Sequence, residues 1–597
     1  MPLPPAPSAS FAALPEPATA PTPSAASSWW SPRPCAPIPA SAARSSVPST
    51  ATAGAPSAPS VWTPSPAARP ASHCGSRATW PSGPTSTAPS TSWGTPRHAP
   101  ATSAPPSATA GIAGQLRASW HHHTLQAGVF YGVSNSTPSE FNEQLGRERP
   151  PSADAWTTTY NIDRPYQLVH HDIGLLSADL FGGWGTLALT YAFQINRRQE
   201  YESVRENVSG AQYNFTLRTH SLDLLYRHPG QRLGTARLEG GVGLQASFQE
   251  NVYRGYSLLP NYRSFGGGLF AYERLSFPRL DVEVGTRVDA LSRVAYMSDD
   301  DFAKHVRRGT LDDLTCSETE ANARCPAAYD TGSVSVGTVV HAIPDLLDAK
   351  LDLSSASRFP NVDELYLVGN APSFPVYALG HPSLRSETAW GATLTLGLRH
   401  DAVEAELSAY AQHIDDYIYF APDVNDAGEP QFDVTIRGTW PRFTYTPIDA
   451  ALSGLDASVN LAPRAAVGLV ARGATVRATE RATGHQLVGT PADHLYLALV
   501  GRPPAFGPFE SSEVRLATDL VAQQTRVDPD RDFAPAPEAY ALLGLSAEAV
   551  FRGRNRVRLG VDAHNLLDTA YREYTSLLRY YADQPGRDIR VRIGADF

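Results

Sequence analysis

The chain contains no run of 18 or more apolar residues, so no transmembrane helix is expected. Lysine is almost missing: Lys304 and Lys350 are the only two among 49 basic residues, a bias that fits a GC-rich genome better than a function. A net charge of −10 over 597 residues is modest and gives no reason to expect nucleic acid as a partner. Cysteine is scarce, with four in all. Cys316 and Cys325 lie close together in a polar, Asp-rich segment, as a loop disulfide or as two free thiols, at a spacing that fits no zinc signature. The His-Glu-x-x-His, Gly-x-Ser-x-Gly, Walker and Cys-x-x-Cys signatures are missing too, so neither an enzyme nor a cofactor is expected. Only a Ser/His pair without a linear motif would leave room for a hydrolase.

Acidic residues are nearly absent from residues 1–110, where Glu16 stands alone while 25 of the 51 prolines lie among Ala, Ser and Thr. Such a stretch cannot bury enough apolar surface to offset its chain entropy. The chain is therefore divided into a disordered segment, 1–114, and a folded part, 115–597. The first segment lacks the basic and apolar regions of a signal peptide. Its scattered Trp29, Trp30, Trp62, Trp80 and Trp93 are odd for a linker. It reads either as a Pro/Ala linker or as a stretch translated in the wrong frame, or upstream of the true start, of a GC-rich gene.

What is present from residue 115 onward is period two. Leu280, Val282, Val284, Thr286 and Val288 alternate with Asp281, Glu283, Gly285, Arg287 and Asp289. Val557, Leu559, Val561 and Ala563 alternate with Arg558, Gly560, Asp562 and His564. The chain ends the same way, with Ile589, Val591, Ile593, Ala595 and Phe597 on one strand face and Arg590, Arg592, Gly594 and Asp596 on the other. Strands with lipid on one side and water on the other have this pattern. A mean hydropathy of −0.26 does not oppose it, because half of each such strand is polar. No helical stretch is expected.

The connections alternate in length. Short ones fall near 182–185, 228–233, 277–279, 344–347, 400–402, 463–465, 501–511 and 552–555. Long polar ones fall near 199–212, 250–262, 298–332, 359–386, 421–442, 480–492, 523–537 and 567–587. That is the signature of an up-and-down barrel with tight turns at one rim and long loops at the other. These connections and two further strands at 115–120 and 123–133 imply about 19 strands, and bacterial barrels are even-numbered, up to about 22 in transporters. The expected fold is all-β: a large antiparallel transmembrane β-barrel of about 19–22 strands. A soluble sandwich or propeller is the rival, without the blade repeats a propeller needs.

Four motifs in order bring a family into view. Ser357-Arg358-Phe359-Pro360 is followed by Glu364-Leu365-Tyr366. Gly380-His381-Pro382-Ser383-Leu384-Arg385-Ser386-Glu387 comes next, then Asn565-Leu566-Leu567-Asp568 with Tyr571. Pro585-Gly586-Arg587 leads into the strand that ends at Phe597. Over roughly 115–597 this resembles the β-barrel of TonB-dependent outer-membrane receptors, with Arg358 and Phe359 in the reverse of the family order. The resemblance implies a monomeric barrel in the bacterial outer membrane that takes up a scarce ligand such as a siderophore. Its partners would be outer-membrane lipid, the β-barrel assembly machinery and TonB. Neither the family's plug nor its TonB-binding segment is recognisable in 1–114. A passive porin-like channel and a soluble or surface β-rich binding protein are the alternatives.

Tyr366, Phe374, Tyr377 and His381, on or beside one long loop, are the candidate ligand contacts, because rigid aromatics on an outer loop suit that role. Tyr417, Tyr419, Phe420 and Trp440 near strand ends are expected in a membrane-interface girdle. His121-His122-His123 is placed at a short turn, with no second cluster to complete a metal site, and His170-His171 is similar.

Overall fold

In the computed structural model the described residues are 44–45, 113–130, 135–147, 149–150, 161–202, 209–311, 316–318, 322–425, 428–435, 437–553 and 556–596. The expectations for the rest of 1–112 and for Phe597 lie outside them. Eighteen long strands form one antiparallel meander. They are β1 (Ala113–Gly128), β2 (Tyr166–Gly182), β3 (Gly185–Tyr201), β4 (Tyr213–Arg227), β5 (Ala236–Gly255) and β6 (Asn261–Ser276). Then come β7 (Leu280–Met297), β8 (Ala323–Ile343), β9 (Leu347–Arg358), β10 (Glu387–His400), β11 (Val403–Pro422) and β12 (Gly438–Leu461). The last are β13 (Val467–Glu480), β14 (His494–Gly501), β15 (Phe509–Val521), β16 (Tyr540–Phe551), β17 (Arg556–His564) and β18 (Asp588–Asp596). From β2 onward a connection falls at each place where the sequence put one, but strand takes up part of some expected long loops: β5 runs to Gly255 within 250–262, and β8 starts at Ala323 within 298–332. Upstream there is one strand rather than two: β1 runs straight through the histidine triplet and pairs with β2 from Ala113 to Gly128. His122 lies on the outward face, against Asp172 at 2.6 Å, while its two neighbours alternate to the other face.

Which face meets which solvent follows from exposure. Leu351, Leu394, Ala409 and Leu455 stand side by side across β9 to β12, and the three leucines are 44–48% exposed. The adjacent row, Asp352, Thr393, Tyr410 and Gly454, points inward, where Thr393 is 1% exposed and Tyr410 5%. A soluble protein shows the reverse. The apolar outer row continues around the wall through Leu116, Leu189, Leu244, Leu269, Val336, Leu497, Leu516 and Val561. Polar pairs such as Arg592 with Asp562 and Arg287 with Asp289 lie on the inner face.

An aromatic row borders the apolar belt toward the long-loop rim. Trp120, Phe193, His220, Phe248 and Phe265 follow one another in register from β1 to β6. This is the interface girdle on that side. The expected girdle residues are elsewhere. Trp440 is buried, Phe420 packs on Phe443 and Tyr445, and Tyr417 stacks on Tyr419, all inside the long-loop mouth. The long strands overrun the membrane there, so a strand end is not an interface.

The long loops carry the apolar core. Phe141, between β1 and β2, packs on Phe533 and on Tyr580 and Tyr581 from the last two long loops. The sheet is thus rolled until its first and last loops touch. A second cluster joins Tyr213, Phe215, Tyr262, Met297, Leu365, Tyr366, Leu384 and Tyr445. Three helices lie in long loops where none was expected: α1 (Pro138–Leu145), α2 (Asp299–Arg308) and α3 (Val362–Tyr366). A disulfide joins Cys316 to Cys325 at the start of β8.

Replacing Leu394 by Arg puts a charge on the lipid face and should lower unfolding stability in lipid vesicles by about 2–4 kcal/mol. Lys350→Ala, on the inner wall, should cost far less in the same denaturant titration.

Candidate functional site

The long-loop mouth is built around the motif residues. Arg358, the last residue of β9, meets Glu364 of α3 at 2.9 Å and Glu387, the first residue of β10, at 2.5 Å and 3.1 Å. Glu387 also accepts the Ile418 N–H from β11, at 3.0 Å. Glu364 accepts the Asn361 N–H at 2.6 Å, which fixes the first turn of α3. One guanidinium therefore pins a helix and three strands. Its reversed order with Phe359 does not prevent this, and Phe359 packs near Tyr329. The Pro360 carbonyl accepts from Arg293, at 2.9 Å.

From α3 the loop doubles back. Val368–Gly369 pairs with Tyr377–Leu379, which lies parallel to Arg442–Thr444 of β12. Gly380 crosses the Leu365 backbone so closely that a Cβ would sit 2.6 Å from its carbonyl carbon. His381 N–H donates to the Glu364 carbonyl at 2.8 Å, and Pro382 and Leu384 are buried beneath. At the other end of the chain Asn565 closes a turn on Thr569 through two bonds of 2.9 Å. Asp568 accepts the Arg587 N–H at 2.8 Å, with no room for a Cβ on Gly586. Tyr571 packs on Tyr540, 4.7 Å between ring centres. The motif residues are thus the braces of the loops.

Above the braces lies a cavity of about 530 Å³. Tyr213, Tyr256, Asn370, Tyr377, Asp300, Asp301, Asp433, Lys304, Arg307, Arg308 and Arg437 line it. Lys304 pairs with Asp301 at 2.9 Å, Arg308 with Asp433 at 2.5 Å and Arg437 with Glu202 at 3.0 Å. Arg437 also donates to the Tyr213 hydroxyl. Arg307 is exposed at the rim and makes no ion pair among the described residues. Such walls offer several donors to an oxygen-rich, anionic or chelated molecule, with aromatic faces beside them.

Of the four candidate contacts only Tyr377 lines this cavity. Tyr366 is buried in the mouth core, Phe374 packs against Phe420, and His381 is half-buried below the rim. The charged residues of α2 were missed. Their signal was present: three acids open the segment and basic residues close it, as the helix dipole favours. On the buried side of α2 itself, His305 is fully buried and bonded to Thr310 at 2.9 Å. Burial pushes its pKa down to about 4, and neighbouring His381 adds to the shift against the pull of Asp301. A last buried couple joins Arg579 to Asp532 at 2.6 Å, under Tyr574 and Tyr580.

The model of the "TonB dependent receptor-like, beta-barrel" family matches residues 64–566, more than four-fifths of the chain. The chain belongs to that family. Solved structures share the receptor fold. The copper transporter OprC is 14% identical, with 81% of this chain and 76% of that one covered and a TM-score of 0.52. The ferric preacinetobactin receptor BauA of Acinetobacter baumannii is 11% identical over 81% and 70% of the two chains, TM-score 0.56. The ferric yersiniabactin uptake receptor FyuA of Yersinia pestis is 13% identical over 82% and 68%, TM-score 0.51. No curated protein matches in sequence. Among TonB-dependent receptor barrels, then, this one has a mouth braced by Arg358 and lined by charged residues of α2.

Arg358→Ala leaves Glu364 buried without its cation and should destabilise the fold by about 3–5 kcal/mol in denaturant titration. His305 sets a pH dependence. The unfolded chain takes up its proton near 6.5, the folded one near 4. Stability is therefore full above 6.5 and declines as pH falls toward 4. Proteolysis of the α2 loop should accelerate across that window, and His305→Gln should flatten the response.

Proposed function

We propose that this chain is the barrel of an outer-membrane receptor that captures a scarce metal chelate of siderophore type at its long-loop mouth. TonB energises its passage. The observation that carries this reading is the charged, tyrosine-bearing cavity among loops that crown a lipid-facing apolar belt. The printed descriptions of OprC, BauA and FyuA, which name copper and ferric chelates, support the ligand class. Arginine and tyrosine donors suit the carboxylate, catecholate or phenolate oxygens of such ligands. The family supports TonB as partner and the outer membrane as location. Assembly by the β-barrel machinery and a monomeric state belong to the same proposal. Loops packed across the mouth speak against an open pore.

In cells, uptake of radiolabelled ferric and cupric chelates should fall to background when the gene is deleted or TonB is lost. Arg307→Ala with Tyr377→Ala should weaken binding of the transported chelate by about tenfold, on the scale of one lost charged contact. Uptake that persists without TonB, together with steady ion conductance of the purified chain, would instead assign it as a passive channel.

A further inference from the structure

We propose that the outward face of β3–β6, beside the aromatic row, is a docking surface for the phosphate-bearing headgroup of an outer-leaflet lipid. It rests on the outer-membrane reading above and concerns the lipid side of the wall, not the mouth cavity.

Arg197, Arg218, Arg254 and Arg263 all project outward within five residues of the long-loop ends of their strands. Arg218, Glu250 and Arg263 stand in one row across β4, β5 and β6. Both arginines bond Glu250, at 3.1 Å and 2.9 Å, yet remain 49% and 68% exposed. Arg197 lies one outward row nearer the loops, in register with Thr216, and Arg254 one row further, in register with Asn214. Neither makes an ion pair among the described residues. Among the described residues of these strand ends on β3–β6, four outward cations thus face one outward anion.

Strands about 4.8 Å apart and outward rows about 7 Å apart give a patch of roughly 15 Å by 14 Å. That matches one headgroup carrying more than one phosphate. Position supports the same occupant. The row Phe193, His220, Phe248 and Phe265 lies directly beneath Arg218 and Arg263, so a lipid whose chains cover the apolar belt would bring its headgroup to the arginines. The opposite ends of these strands differ: the outward charge there is Glu273, which pairs with His228. Guanidinium groups suit phosphate because their fork can bind two oxygens and their hydration is weak. Glu250 holds two of them in place in advance.

The test uses the full chain, folded in detergent micelles, and native mass spectrometry. Diphosphoryl lipid A, its dephosphorylated form and phosphatidylethanolamine are the probes. The wild type should retain diphosphoryl lipid A at least tenfold better than either other lipid. Arg218→Gln with Arg263→Gln should remove that preference, and Arg218→Lys with Arg263→Lys should keep most of it. Heat-modifiable migration on gels reports folding of each variant. Equal retention of the dephosphorylated lipid, or an unchanged preference in the folded glutamine variant, would overturn the docking surface alone. A chain that does not insert into vesicles would overturn the outer-membrane reading as well.

Discussion

In the hydrocarbon of a membrane no water is present to satisfy a backbone N–H or C=O, and each orphan group costs several kcal/mol. The described wall answers this constraint strand by strand, with each interior strand paired to the next and the previous one. The remaining features of the wall follow. An antiparallel meander needs connections at alternating rims. A pleated strand must alternate its side chains. With lipid outside, the exposed side is the apolar one, as Leu351, Leu394 and Leu455 show.

The loops obey different physics. They meet water, so their order comes from local cores and paired charges instead of a continuous ladder. Arg358 with Glu364 and Glu387, and Arg579 with Asp532, are such pairs, each surrounded by aromatic packing. Buried ion pairs contribute little net stability over apolar replacements, but breaking one is costly. They hold the mouth in one geometry, in which the charged side chains of α2 line a cavity.

Much of the fold was legible in the sequence because strand period and loop length are local properties. All connections from Gly182 onward could be placed from them. The misreadings share a cause. His121–His123 looked like a turn because three polar rings interrupt an apolar pattern, yet on a barrel wall one ring faces out and finds Asp172. Tyr417, Tyr419, Phe420 and Trp440 looked like girdle residues because they end strands. Strands β11 and β12, however, run 20 and 24 residues, well beyond the roughly 9–11 that cross a bilayer. The α2 helix hid among long polar loops, although its charge gradient was readable.

The site was less legible, since residues distant in sequence make it. Tyr213, Lys304, Tyr377 and Arg437 come from four separate stretches and share one cavity. By itself the sequence determined a lipid-facing antiparallel barrel and the motifs of its family, because alternation and turn spacing are written residue by residue. Only the tertiary structure decided that those motifs brace the loops and that charges elsewhere line the mouth. Burial, ion pairing and cavity shape arise when the sheet rolls up and its loops meet, and no local pattern carries them.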